Sequence, residues 1–463
     1  MKMSFATLGL LLAACTADEA DTRPREDELF FPTGIAVSPD EKVAFVVNAN
    51  SELRWDSGSI MVLDLDEVDR VVDAWVTQRV IPIEDVDKDG RDFSESDAVK
   101  KPLDIHGNGS KDECIRDPDH TETLQCDEAM FFNQRDAARI GNFATDVSIQ
   151  DLGNGNLRLF VPTRGDPSIT WTDWNGQGLE CVQCDSSVEH RLSFLYNDGD
   201  KFPGIPEEPY SVYADSAGQY AMVTHLTTGS VTLVDSPKDT KDVVVTDVLQ
   251  GIFGADGNGF RGATGVTGSP STGIVYVGSR TEDRIQTFTV GRPANGERPY
   301  LLPGKWFFLD AVGGLAGGSS DTRGMTFSTD GNRMFLVNRR PPTLQVFDTT
   351  IAPTGVPRDK LLGASDICRQ GSAVAVSGTG TDERAYVTCF QDGQIYVVDP
   401  SNGVFVEDII LSGRGPYGVA AAGTRGKLYV TNFLEDTVSV IDIAPSSPTR
   451  NRVVLRIGIP RAL

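Results

Sequence analysis

The chain has 463 residues, of which 39% are hydrophobic and 8% aromatic, enough for a large core and incompatible with a wholly disordered protein. Its 47 glycines and 25 prolines follow no three-residue period, which excludes collagen and favours a turn-rich architecture. The formal net charge of -24 repels nucleic-acid phosphates, so we expect no nucleic acid among its partners.

The N-terminus carries a processing signal. Lys2 precedes a short apolar run that leads into Leu12-Ala13-Ala14-Cys15. Small residues before a cysteine resemble the signal of bacterial lipoproteins, in which that cysteine is lipidated and becomes the mature N-terminus. An ordinary secretory signal with an incidental cysteine is the alternative. The resemblance implies a signal peptide at 1–14, a lipid on Cys15, a flexible tether at 15–28 and a folded body at 29–463.

The lipoprotein resemblance also implies a location. Thr16, and not an aspartate, follows Cys15, and lipoproteins of that kind in enteric bacteria are usually sent to the outer membrane. We therefore expect an exported protein that is anchored to the cell envelope through its lipid, at the outer membrane, on the periplasmic or the surface side.

Six cysteines remain after Cys15, an even number that suits disulfides in an oxidising compartment. Proximity in the sequence favours the pairs Cys114–Cys126, Cys181–Cys184 and Cys368–Cys389 among the possible connectivities. Asp185, and not a histidine, follows Cys184, so c-type haem attachment is not indicated. A redox-active pair at this position would lack the usual thioredoxin-like context.

Seven copies of one unit run along the chain. The last copy, residues 416–442, has an apolar strand, a turn, a second strand, a polar loop and a third strand. An acid closes the third strand in six of the seven copies: Asp64, Asp173, Asp235, Asp348, Asp399 and Asp442. Such a unit cannot bury a core alone, whereas radial stacking buries seven units together.

Two elements of the last copy, Tyr429-Val430-Thr431-Asn432 and the opening Pro416-Tyr417-Gly418-Val419-Ala420, resemble the YVTN-repeat family of seven-bladed β-propellers. The resemblance covers residues 30–460 and implies an all-β ring of seven blades, with residues 452–460 as the outer strand of the last blade. A pair of β-sandwiches does not predict sevenfold similarity. Relatives include binding and surface proteins, and related propellers include lactonases, so the fold does not define the activity.

An insertion follows the first copy. The opening positions of the first two copies, Thr33 and Thr145, lie 112 residues apart, whereas the last two, Ser372 and Tyr417, lie 45 apart. We expect residues 84–140 to form a disulfide-containing loop region between blades 1 and 2.

The insertion begins with an acidic loop that resembles the start of an EF-hand. Its carboxylates, on Asp85, Asp87 and Asp89, alternate so that they can converge on a hard cation, and Gly90 permits a sharp turn. Ser96 stands where a bidentate glutamate is expected. A calcium site and a solvated turn therefore both remain open.

The insertion also holds a set that zinc can use: His106, Cys114, His120 and Cys126. The spacing lacks close pairs, and an exported protein oxidises such cysteines, so a disulfide is the favoured interpretation.

Propeller geometry places the loop after each second strand and the loop before each first strand on one face. The repeat alignment gathers eight arginines there: Arg139, Arg164, Arg261, Arg280, Arg323, Arg339, Arg369 and Arg414. Tyr210, His225 and Tyr417 join them. Planar guanidinium groups bind carboxylates and phosphates in a bidentate manner, which predicts a ligand-binding face for an anion. The alternative is that these arginines neutralise nearby acids such as Asp146, Asp321 and Asp366.

No nucleophile elbow, HExxH or phosphate-binding loop occurs, which favours a binding or scaffolding module for a partner protein or an anionic cell-envelope ligand. The alternative is a hydrolase or lactonase with a divalent metal at the channel mouth. The seven opening positions offer poor metal ligands: Thr33, Thr145, Tyr210, Thr264, Arg323, Ser372 and Tyr417.

Overall fold

A computed structural model describes residues 22–79, 114–117, 120–132, 137–193, 204–255, 261–294, 296–309, 320–401 and 403–460. Within these residues, thirty strands form seven sheets, and the propeller strands of each sheet are antiparallel. The sheets are the blades of a β-propeller, which confirms the predicted fold. The one helix among the described residues, 15 residues long, is neither long nor apolar enough to cross a bilayer.

The blades follow one another along the chain. Blade 1 begins with β1 (Pro32–Val37), β2 (Val43–Asn48) and β3 (Gly58–Asp64); helix α1 (Leu65–Arg79), β4 (Cys114–Arg116) and β5 (Leu124–Cys126) follow, and β6 (Ala138–Ile140) completes the blade. Blade 2 contains β7 (Ser148–Gly153), β8 (Asn156–Thr163), β9 (Ser168–Trp174) and β10 (Arg191–Ser193). Blade 3 contains β11 (Pro209–Asp215), β12 (Tyr220–His225), β13 (Val231–Asp235) and β14 (Val244–Leu249).

The remaining blades have the same pattern. Blade 4 contains β15 (Ala263–Gly268), β16 (Val275–Ser279), β17 (Arg284–Gly291) and β18 (Tyr300–Phe308). Blade 5 contains β19 (Thr322–Phe327), β20 (Arg333–Arg339), β21 (Pro342–Asp348) and β22 (Lys360–Asp366). Blade 6 contains β23 (Gly371–Ser377), β24 (Arg384–Cys389), β25 (Gln394–Asp399) and β26 (Phe405–Leu411). Blade 7 contains β27 (Pro416–Ala422), β28 (Lys427–Asn432), β29 (Thr437–Asp442) and β30 (Arg452–Ile457), and short 3₁₀ turns lie at Glu128–Met130 and Gly380–Asp382.

The innermost strands approach one another closely around the axis, and small residues permit this. A Cβ atom on Gly34 of β1 would lie 2.8 Å from the carbonyl carbon of Asp146 in the next blade. A Cβ atom on Gly324 of β19 would lie 2.6 Å from the Cα atom of Ala373 in β23. Glycine is therefore required at these positions for steric reasons.

The threonine of the repeated second strand joins neighbouring blades. Thr388 at the end of β24 donates a hydrogen bond to the carbonyl oxygen of Tyr417 at 2.9 Å, and Thr431 in β28 donates to that of Thr33 at 2.7 Å. Each hydroxyl links one blade to the first strand of the next. The repeated threonine thus contributes to the ring as well as to its own blade.

The ring closes where blade 7 meets blade 1. The second of the two threonine bonds crosses this seam, and the amide N–H of Phe31 donates to Oδ1 of Asp436 at 2.7 Å. All four propeller strands of blade 7 come from one continuous segment, 416–457. The seam therefore has no covalent link of its own within the ring.

The insertion interrupts blade 1 between β3 and β6 and crosses this seam. Strand β5 pairs in parallel with β30, the outer strand of blade 7, so that Leu124 lies opposite Leu455. Helix α1 packs into the same apolar cluster, with Trp75 1% exposed. We call α1 with the β4–β5 hairpin the clasp, because it contacts both blades 1 and 7.

The three predicted disulfide pairs are all joined: Cys114–Cys126, Cys181–Cys184 and Cys368–Cys389. The first ties the two strands of the clasp hairpin together, where the two cysteines are also paired in register. The third joins the segment before β23 to the end of β24 within the ring.

Candidate functional site

The first strand of each blade begins on the face where the second strand ends. In blade 1, for example, Pro32 at the start of β1 pairs with Asn48 at the end of β2. A channel of about 250 Å³ runs along the axis from this face, and six of the seven predicted opening residues line it: Thr33, Thr145, Tyr210, Arg323, Ser372 and Tyr417. We call this end of the channel the mouth.

Two cations from blade 5, Arg323 and Arg339, lie together at the mouth. Arg323 is 8% exposed and forms a two-point ion pair with Asp321, Nε to Oδ1 at 2.9 Å and Nη2 to Oδ2 at 3.2 Å. Its remaining Nη1 donates to the hydroxyl oxygen of Tyr210 at 3.0 Å. The charge of Arg323 is therefore balanced by a carboxylate.

The charge of Arg339 is not balanced by a carboxylate in this way. Its Nε donates to the carbonyl oxygen of Gly371 at 2.7 Å and its Nη2 to Oγ of Ser372 at 3.0 Å. Among the described residues no carboxylate lies within 4.0 Å of this half-buried guanidinium. Burial and then the neighbouring charge of Arg323 hold the pKa of Arg339 below its ordinary value. Asp321, which is paired with Arg323, acts on Arg339 only from beyond 4.0 Å. A desolvated cation without a carboxylate in contact favours an anion beside it.

Two tyrosines from opposite blades meet above the channel. The hydroxyl of Tyr417 donates to that of Tyr210 at 3.4 Å, and Tyr210 also accepts from Arg323. Burial acts to raise the pKa of Tyr210, but the charges of Arg323 and Arg339 outweigh it and place the pKa below its ordinary value. Burial, then the adjacent Tyr210, raises the pKa of Tyr417. The surroundings of the pair thus favour loss of the proton from Tyr210 over loss from Tyr417.

Three other predicted arginines are bonded to carboxylates. Arg139 contacts Asp56 and Asp185, Arg164 contacts Glu208 at 2.6 Å, and Arg414 contacts Glu435 at 3.5 Å.

The last three of the eight lie away from the pair at the mouth. Arg261 and Arg369 are exposed, and Arg280 is near enough to Glu208 to help lower the pKa of that carboxyl. Of the eight, Arg323 lines the channel, and Arg339 lies beside it through its hydrogen bond to Ser372, which also lines the channel.

His225 is fully buried and has its ring nitrogens occupied. Nδ1 bonds the carbonyl oxygen of Glu207 at 3.0 Å and Nε2 bonds Oγ1 of Thr232 at 2.8 Å. Burial lowers the pKa of His225 to about 4, so the imidazole is neutral at pH 7. These contacts give it a role in holding the end of β12.

One carboxyl, Asp146, lines the channel. Its two oxygens accept the backbone N–H groups of Val147 at 2.8 Å and Val212 at 3.1 Å, which ties blade 2 to blade 3. Burial raises the pKa of Asp146 to about 7. Sequence reasoning had considered this residue only as a partner for arginine.

Aromatic side chains at the mouth were missed by the sequence analysis. Phe390 and Phe433 come directly after β24 and β28, and they lie 5.8 Å apart between ring centroids. Phe31, directly before β1, lies 5.3 Å from Phe433. The repeat alignment already contains the signal, since both phenylalanines follow the same position of the second strand.

The structure offers little to a metal ion. The acidic loop with Asp85, Asp87 and Asp89 lies outside the described residues, as do His106 and Cys15. Among the residues that are described, no group of three histidine, cysteine or carboxylate side chains is arranged to hold a metal.

Comparisons with known proteins agree on the architecture. No protein-family model matches the sequence, and no curated protein matches it. Among solved structures, a Lactobacillus plantarum protein is similar with a TM-score of 0.52 and 16% identity, covering 70% of this chain and 89% of its own. The periplasmic gluconolactonase of Pseudomonas aeruginosa is similar with a TM-score of 0.51 and 15% identity, covering 83% of this chain and 86% of its own.

A third similar structure is a putative 6-phosphogluconolactonase from Bacteroides fragilis, with a TM-score of 0.51 and 12% identity, covering 75% of this chain and 94% of its own. At these identities the likeness shows a seven-bladed β-propeller and nothing about its chemistry.

Proposed function

We propose that the protein binds a small anionic ligand at the mouth of its channel. The observation that supports this most directly is the half-buried guanidinium of Arg339, which lacks a carboxylate and lies beside Arg323. We call Arg323 and Arg339 together the cationic spot. The chain as a whole is strongly acidic, with a net charge of -24, so the charge of this spot is opposite in sign to that of the protein. Such a site attracts a carboxylate or phosphate of small size more than it attracts a large polyanion.

Binding is tested by calorimetry on the purified full-length protein with gluconate, 6-phosphogluconate and inorganic phosphate as probes. We expect Arg339→Gln to weaken binding by about ten- to a hundredfold, because the variant loses a charge-assisted hydrogen bond to the anion and such a bond changes the affinity by about this factor. Arg358→Gln is the matched control, because this exposed arginine lies in the same blade beside Asp348, at the opposite face. Equal affinities in the two variants, or no binding of any probe, would contradict the proposal.

The same site supports a second candidate function, the hydrolysis of a sugar lactone. Two of the similar propellers carry lactonase names, and Tyr210 has a lowered pKa beside two guanidinium groups. In this proposal Tyr210 accepts a proton from the water that attacks the lactone carbonyl, and Arg339 stabilises the oxyanion. The ring C–O bond then breaks, and the leaving oxygen takes the proton that Tyr210 accepted, which gives the hydroxy acid and restores the ionised Tyr210.

Turnover is tested with a panel of sugar lactones. Tyr210→Phe should lower the rate by about a hundredfold or more, whereas Tyr300→Phe, an exposed tyrosine on the outer strand of blade 4, should not. Loss of activity with a chelator would favour the metal-dependent form of the function. Absence of turnover for every lactone would leave the binding proposal alone.

We also propose that the protein acts outside the cytoplasm, tethered by a lipid on Cys15. Three disulfides within the described residues suit an oxidising compartment. A scaffolding role for a partner protein of the cell envelope fits the same location. Membrane fractionation of Cys15→Ser tests the anchor, and co-purification from solubilised membranes tests the partner.

A further inference from the structure

Four aromatic rings form a continuous surface beside the mouth: Phe31, Phe390, Tyr417 and Phe433. The centroid separations are 5.3 Å for Phe31–Phe433, 5.8 Å for Phe390–Phe433, and 6.3 Å from Tyr417 to each of Phe390 and Phe433. The rings come from blades 1, 6 and 7, on one side of the channel. We call this surface the aromatic ledge.

The aromatic ledge retains contact with solvent. Phe390, Tyr417 and Phe433 are only half-buried, and Leu434, which is 47% exposed, extends the apolar surface. Apolar rings grouped at a concave mouth, and not dispersed over the surface, are typical of a ligand site.

Tyr417 connects this surface to the cationic spot. Its ring belongs to the aromatic ledge, while its hydroxyl donates to Tyr210, which accepts from Arg323. Apolar rings and positive charge therefore lie side by side, separated by one tyrosine pair. A ligand that satisfies both must carry an anion at one end and a flat apolar body at the other.

We propose that the ligand of the mouth is an aromatic carboxylate whose ring packs on the aromatic ledge while its carboxylate meets Arg339. The proposal rests on the anion-binding function above and adds to it the chemistry of the ligand body. Guanidinium supplies parallel N–H donors for the carboxylate, and aromatic rings favour offset-stacked or edge-to-face contact over contact with an aliphatic ring of the same size.

The test is a calorimetric series on the full-length protein with benzoate, cyclohexanecarboxylate, acetate and the neutral benzamide. We expect benzoate to bind about tenfold more tightly than cyclohexanecarboxylate, and benzamide to bind most weakly among the ring compounds. Phe433→Leu and Phe390→Leu should each weaken benzoate several-fold and leave acetate unchanged. Phe405→Leu, on the outer strand of blade 6 and 45% exposed, is the control.

The outcomes separate the two proposals. Equal affinity for benzoate and cyclohexanecarboxylate, or an unchanged benzoate affinity in both folded leucine variants, would overturn the aromatic ligand. Anion binding would remain in place if Arg339→Gln still weakened it. Failure of every carboxylate and of phosphate to bind would overturn both. Thermal unfolding of each variant establishes that it is folded before its affinity is compared.

Discussion

Arg339 and Arg414 occupy the same predicted face, yet their surroundings differ. Arg414 has Glu435 at 3.5 Å, so its charge is matched within the chain. Arg339 instead donates to a backbone carbonyl and a serine hydroxyl, which satisfy its hydrogen bonds and not its charge. The distinction matters because a neutral acceptor does not repay the desolvation of a cation. The proposed anion site is therefore assigned to Arg339 and not to Arg414.

Asp146 predicts a pH dependence of stability. Burial raises its pKa to about 7, above that of an unfolded aspartate, so the protonated form favours the folded state. The stability that it contributes is complete below about pH 4 and is lost as the pH rises to about 7, a change of up to about 4 kcal/mol. Asp146→Asn removes this titration. We expect the melting temperature of the variant, relative to the parent protein, to rise between pH 4 and pH 8.

Asp330 provides the control for this experiment. It lies in an exposed turn, where hydrogen bonds from Ser328 and from the backbone of Asn332 hold its pKa below the ordinary value. Its contribution is therefore lost only as the pH falls, and Asp330→Asn should show no relative gain between pH 5 and pH 8. A melting-temperature difference for Asp146→Asn that stays constant with pH would contradict the prediction.

At the scale of the strand, the second strand of the repeat stabilises its own blade and also bonds to the next blade. Thr388 accepts the N–H of Ala373 at 2.9 Å inside blade 6 and donates to the carbonyl oxygen of Tyr417 in blade 7. One buried hydroxyl therefore satisfies a donor in one blade and an acceptor in the next. Thr224 in blade 3 and Thr431 in blade 7 have the same dual role, which accounts for threonine at this position of these three blades.

Thr388→Val is expected to destabilise the protein by about 1 to 3 kcal/mol, because it leaves a part-buried N–H and a part-buried carbonyl without this partner. Denaturant unfolding measures this directly. Thr388→Ser retains the hydroxyl and should recover most of the loss. A small loss in Thr388→Val together with a large loss in Thr388→Ser would show that the methyl group, and not the hydrogen bonds, supplies the stabilisation.

Features that recur in the copies of the repeat can be predicted from the sequence, whereas contacts that occur once between distant segments cannot. Seven in-register copies locate the strands and the face on which Tyr210, Arg323 and Tyr417 meet. Local spacing also suffices for the three disulfides. By contrast, the parallel pairing of Leu124 with Leu455 joins segments far apart in the chain and leaves no periodic pattern. Whether a carboxylate contacts Arg339 depends on side-chain positions, which an alignment of repeats does not specify.

At the scale of the molecule, the ring has one boundary where the two neighbouring blades do not follow one another along the chain. Blades that follow one another are joined by the chain, whereas blades 7 and 1 meet through packing, hydrogen bonds and ion pairs such as that of Arg54 with Asp436. The clasp crosses this boundary from the rim, and its contacts include Thr123 Oγ1 to the carbonyl oxygen of Val453 at 2.9 Å and an ion pair of Arg456 with Asp117 at 2.5 Å. The clasp therefore connects blades 1 and 7 at the rim of the ring.

Because the clasp contacts both blades 1 and 7, we expect removal of its disulfide to destabilise the seam between these blades first. Cys114→Ala with Cys126→Ala opens a loop of sequence separation 12 and should cost about 2 to 3 kcal/mol. Hydrogen–deuterium exchange should then increase in β1, β5 and β30, on both sides of the seam, and remain unchanged in blades 3 and 4. Cys368→Ala with Cys389→Ala is the matched control, since it also removes one disulfide but acts within blades 5 and 6. Faster exchange at the seam in both double variants, or in neither, would mean that the clasp does not hold the ring closed.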